Sequence, residues 1–277
     1  MKDALSYVEA NRLGGRNGRG WQGSTYYAAP NPPFGAVFTY YLKEKLTSPR
    51  EQRLAAEAKA EKEGATLPYP SLDDFRREDR ARDPAIVLIV SDTAGNVVRR
   101  VSGPREKGIH RVAWDLRFPA ATPVNLKPGE PDPWDDDPSG PLVLPGTYTV
   151  HLAREVDGEV TLLAGPESFK VVPLELATLA AQDKEAALAF KQKVARLQRA
   201  VEGALRSSGE LGQRLAHLRA AVLQTPAADA ALLTELEQLN RRLTELNVAL
   251  RGDATAGRRG VPEPPSIAER VSNIVSS

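Results

Sequence analysis

The apolar residues of this chain change their spacing once, near Pro173, and no single layer of secondary structure accommodates both spacings. Before that point Tyr148, Val150 and Leu152 alternate with more polar neighbours, which is the period of a strand. After it Phe190, Val194, Leu197, Val201 and Leu205, then Leu211, Leu215, Leu218 and Val222, recur at helical spacing. Further on, Leu232, Leu236, Leu239, Leu243, Leu246 and Leu250 step by four and three in turn, an a/d seam. Strands come first and helices second, so the expected fold class is α+β with the two parts segregated: an antiparallel β-sandwich, then an antiparallel helical hairpin or bundle.

Three regions follow. Residues 1–33 read as an irregular extension, with a Gly/Arg loop at 12–21 and three prolines in Ala29–Pro33. Residues 34–173 read as the sandwich, with strands at 34–42, 85–90, 97–101, 108–116, 146–153, 160–163 and 167–172 and turns at Asp92–Asn96 and Asp157-Gly158. Ser48-Pro49 opens a helical insertion over about 48–63 that lacks an apolar stripe, and residues 64–84 read as a return loop. Residues 174–277 read as the hairpin. Gly203, Gly209 and Gly212 weaken its first helix and allow a break near Ser207-Ser208-Gly209. Thr225-Pro226 separates it from the second helix. A third amphipathic helix starts at 266, with Ile267, Val271 and Ile274 on one face, and its uncapped end suggests a chain that continues.

Lys+Arg is 37 and Asp+Glu 36 over 277 residues, so a formal charge of +1 gives no long-range steering toward nucleic acid or an anionic membrane. No apolar run approaches the ~20 residues of a membrane span. The opening Met1–Ser6 leads into the Gly/Arg loop instead of a signal-peptide core. That would mean cytoplasm for a free-standing protein and nothing for a fragment. Cysteine is absent, which removes disulfides, thiolate chemistry and Cys-based zinc sites.

One combination of residues is more specific. Asp92-x-x-Gly95-Asn96-Val97-Val98, Gly108-x-His110-x-Val112-x-Trp114-Asp115 and Gly140-Pro141-x-x-x-Pro145-Gly146-Thr147-Tyr148 follow one another over 92–152. This span resembles the Ig-like module of the flagellar hook-capping protein and of many secreted bacterial proteins. With Ala29–Leu42 ahead of it and a helical tail behind, nearly the whole chain resembles the C-terminal region of bacterial sortilin-like, BNR-repeat β-propeller proteins, often labelled glycosyl hydrolases. The resemblance implies an Ig-like sandwich, a neighbouring β-propeller as partner, and a periplasmic or extracellular location. The propeller repeats are missing from this sequence, so no catalytic residue is carried over.

Candidate chemistry is sparse. Asp132, Asp135, Asp136 and Asp137 put four carboxylates within six positions, a donor set for calcium, or else a solvated acidic loop. Trp134 among them is a candidate sugar-stacking platform, or an edge plug of the sandwich. Asp73, Asp74, Glu78 and Asp79 sit among Arg76, Arg77, Arg80 and Arg82 and read as surface ion pairs instead of a glycosidase dyad. His110, His151 and His217 have no zinc spacing, and no cofactor fingerprint or nucleophile elbow occurs. The Gly/Arg loop with Trp21, Tyr26 and Tyr27 reads as a linker more than as an RNA contact. The a/d seam serves intramolecular pairing first and self-association second. The expected role is that of a non-catalytic structural or interaction module, with a carbohydrate-binding accessory region as the alternative.

Overall fold

A computed structural model describes residues 3–6, 33–66, 69–124, 138–174 and 183–276. The fold mixes strand and helix. In chain order the described elements are β1 (Ala4–Ser6), β2 (Ala36–Leu42), α1 (Pro49–Glu63), α2 (Leu72–Arg80), β3 (Ala85–Ser91), β4 (Val97–Gly103), β5 (Gly108–Trp114), β6 (Gly146–Val156), β7 (Glu159–Pro173), α3 (Lys184–Gln224), α4 (Ala231–Arg251), α5 (Ala254–Arg258) and α6 (Ile267–Ser276). Two compact units form. One comprises Met1–Pro119 and Leu142–Gln182, the other Ala120–Pro141 and Asp183–Ser277.

The first unit holds a five-stranded sheet, ordered β1-β7-β6-β3-β4, and a two-stranded sheet of β2 and β5. All pairs are antiparallel except β1 with β7. Alternation decides which residues enter the core. In β2 the residues Ala36, Phe38, Tyr40 and Leu42 are buried while those between them are exposed. In β3 Ile86, Leu88 and Val90 are buried and the residues between them half-buried. Both sheets feed one apolar cluster, centred on aromatic rings. Phe38 from the small sheet meets Phe169 from the large one edge-on, with centroids 5.3 Å apart. Trp114 is 1% exposed and packs edge-on against Tyr148 at 5.7 Å. Its indole N–H, which burial would otherwise strand, donates to Arg117 O at 3.0 Å.

Turn chemistry sets the registers. Asp157 and Gly158 both have positive φ, the two-residue loop that matches the twist of a hairpin, and they join β6 to β7. Between β3 and β4, Asp92 Oδ1 accepts from the backbone N–H of Ala94 and Asn96. Gly35 opens β2 at φ +97°, and a Cβ there would fall 2.0 Å from Trp114 O.

Four details differ from the sequence reading. A short strand, β1, lies in the stretch expected to be irregular; three residues are too few to show a period. A helix, α2, lies in the expected return loop, and its capping box, Ser71 with Asp74, was the unused signal. The strands expected at 160–163 and 167–172 are one strand, β7, whose pairing with β6 shifts at Val150/Leu152 and Leu152/Ala153. Finally, α3 runs unbroken for 41 residues through Ser207-Ser208-Gly209.

In the second unit α3 and α4 run antiparallel. Arg251 donates to Leu205 O, Asn247 meets Ser208, and Gly212 lies beside Leu243, so one helix climbs as the other descends. The helix α6, capped by Ser266 and Glu269, packs on both and buries Val271. Arg199 donates to Ala120 O and Ala121 O, and Arg206 to Val124 O, which ties the Ala120–Val124 segment to α3.

Candidate functional site

Charged side chains in the first unit gather around α1 and α2. Arg53 donates through Nε and Nη2 to both carboxylate oxygens of Glu78, at 2.7 and 3.0 Å, and through Nη1 to Glu57 at 2.7 Å. Its guanidinium also lies 5.1 Å from the centroid of the Phe75 ring. Those bonds hold Glu78 below the usual carboxylate range, because Arg53 favours the charged form. One arginine thus clamps the two helices together. Glu78, expected to pair with its own neighbours, pairs across to α1.

Glu51 is a second hub. It closes the capping box of α1 with Ser48, pairs with Lys45 at 2.9 Å, and accepts from Arg105 at 3.3 Å. The Lys45 bond first, then the Ser48 N–H and the charge of Arg105, lower its pKa. Arg105 also approaches Asp83 at 3.6 Å. On the exposed side of α2, Arg76 meets Asp73 at 2.8 Å and Arg77 meets Asp74 at 3.8 Å. Asp74 is held low mainly by the Ser71 side chain. Arg76, Arg77, Arg80 and Arg82 line an open depression of about 800 Å³ together with Asp73, Asp157 and Gly158. Four guanidiniums against the carboxylates of Asp73 and Asp157 leave it a modest positive excess, in a wide-open, solvent-screened setting.

The histidines are dispersed. His110 contacts Glu106 O at 2.6 Å and its ring lies 5.3 Å from Tyr40; His151 lies in β6 and His217 in α3. Among the described residues no group of three or more His, Cys, Asp or Glu could hold a metal ion. Asp132, Asp135, Asp136, Asp137 and Trp134, like the Gly/Arg loop and Trp21, Tyr26 and Tyr27, lie outside the described residues. No described helix is long and apolar enough to cross a membrane.

The helical unit presents the larger feature. On α3 the heptad position of Val194, Val201, Ser208, Leu215 and Val222 turns inward, Val201 and Ser208 being buried. The other heptad position points out: Phe190, Leu197, Leu211 and Leu218 are 45–60% exposed. On α4 the same split recurs. Leu236, Leu243 and Leu250 are covered, Leu243 to 8%, while Leu232, Leu239 and Leu246 are 41–60% exposed. Among the described residues only half of each a/d seam is therefore covered. In both helices the open position falls three residues after the covered one. Two antiparallel helices with that offset show their open lines on the same side of the pair. Inside the pair, Ser208 Oγ lies 2.9 Å from Asn247 Oδ1, beside a shallow groove of about 440 Å³ lined by Gly209, Gly212 and Thr244.

Compared with known proteins, the chain matches no family model, no curated protein and no solved structure.

Sequence reasoning missed the Arg53–Glu78 clamp, because 25 positions separate the partners. It gave the leucine seam to intramolecular pairing first and self-association second, without dividing the residues between the two. The seven-residue spacing of the two sets was readable, but which set a partner helix covers depends on packing angle, which spacing does not encode.

Proposed function

We propose that this chain is a non-catalytic structural and interaction module: an Ig-like β-sandwich serving as spacer or docking platform, and a helical hairpin serving as an association element. The single observation that carries this reading is the half-open heptad seam, an apolar line on α3 and α4 that soluble helices do not leave bare without a use. Two further features favour the Ig-like assignment. The ring of Trp114 fills the core between the sheets. Tyr148, near the start of β6, donates its hydroxyl to Leu144 O, four residues upstream, at 2.7 Å, as the tyrosine corner of such sandwiches does.

The charged clusters favour the same reading. Glu51, Glu57, Glu78, Asp73 and Asp74 are engaged in caps and ion pairs with fixed partners. General acid–base work needs a carboxyl group poised near the working pH, whereas hydrogen bonds and neighbouring cations here push Glu51, Glu78 and Asp74 the opposite way. The resemblance of 29–42 and 92–152 to propeller-associated modules supports a β-propeller as the neighbour and an extracytoplasmic setting. The test is a glycosidase screen of the purified chain. No turnover above buffer is expected. A reproducible activity abolished by one point substitution would overturn the reading.

A further inference from the structure

We infer that the open heptad lines of α3 and α4 are the surface on which two copies of this chain pair, closing two helix pairs into a four-helix bundle. The inference rests on the helical unit being an association element, and adds which residues associate and with what.

The argument begins with length. From Phe190 to Leu218 the open line on α3 extends about 42 Å, at ~1.5 Å per residue. On a straight helix a seven-residue spacing drifts by about 20° per heptad, so the line winds slowly around α3, the drift that a left-handed supercoil between paired helices takes up. Beside it, the α4 line of Leu232, Leu239 and Leu246 makes a two-lane apolar surface.

Area decides the occupant. With large apolar side chains contributing on the order of 150 Å² each, seven of them about half exposed leave roughly 500 Å² per copy. That lies at the upper end of the largest patch on a typical monomer. Two copies facing each other would remove about 1,000 Å² of apolar surface, the floor for a specific interface, and the flanking groups they cover add to it. The surface is also self-complementary in the sense a twofold axis requires, since each copy supplies both lanes. A two-layer pack of antiparallel helices around a/d positions is a four-helix bundle.

Sedimentation velocity on the full chain tests this, with Leu211→Glu/Leu239→Glu as the variant. The wild type should sediment as a dimer at micromolar concentration. The variant should sediment as a monomer with an unchanged far-ultraviolet circular dichroism spectrum. A monomeric wild type, or a dimer that survives the double substitution, overturns the inference. Should the variant lose helix, single-cysteine chains decide, since the sequence contains no other thiol. Leu211→Cys should become protected from a maleimide dye as protein concentration rises. Gln213→Cys, about 200° around the same helix, should label equally at all concentrations. Equal labelling of both overturns the inference, as does protection of both. A monomeric result leaves the non-catalytic reading standing, while hydrolase activity would overturn that reading and not the dimer.

Discussion

Trp114 is the largest fully buried side chain among the described residues. It is buried to 1%, touches Tyr148 and Phe169, and spends its N–H on Arg117 O. Trp114→Ala should cost about 3–5 kcal/mol, read as a lowered urea midpoint at constant m value. Gly35 fails for a different reason. A methyl group there meets the Trp114 carbonyl and needs φ +97°, so Gly35→Ala should cost more than about 2 kcal/mol by the same measurement. Asp92 governs an acid limb. Its pKa is lowered, first by the Asn96 side chain and then by the turn N–H groups. A carboxylate depressed in the folded state stabilises above its ordinary pKa, and that contribution vanishes as pH falls through the depressed value. Thermal midpoints should therefore drop below about pH 4, and Asp92→Asn should flatten that part of the profile.

At the scale of elements, legibility tracked the strength of local signals. The strands β2 to β6 were readable because alternation and turn residues coincide, and α1 because Ser48-Pro49 announces it. The helix α2 was hidden by a short, charged sequence whose only sign was a capping box, and β1 by its length. The unbroken α3 has a tertiary cause. Ser208 is buried, its hydroxyl reaches Leu205 O within α3 and Asn247 on α4, and Gly212 lies beside Leu243, so packing against α4 supports the glycine-bearing stretch. A double-mutant cycle of Ser208→Ala and Asn247→Ala should give a coupling of about 0.5–1.5 kcal/mol in chemical denaturation. Loss of coupling would mean that the leucines alone set the register. Of the candidate site, the residues were visible as a seam, but not its division into a covered line and an open one.

For the molecule as a whole, the near-zero net charge that excluded steering by nucleic acid also removes a barrier to self-association. If two copies pair through the open lines, stability is linked to concentration. The thermal midpoint should rise as protein concentration increases, and Leu211→Glu/Leu239→Glu should remove that dependence.

The way the chain shuttles between its units bears on how such a protein is inherited. The helical unit borrows Ala120–Val124 from the middle of the polypeptide, where Arg199 and Arg206 grip its carbonyls. A gene segment starting at the codon for Asp183 would encode the helices and omit what those arginines hold. Recombination at that junction therefore separates the helices from the segment they hold; keeping the two together requires a breakpoint upstream of Ala120, so that the later strands travel with the helices.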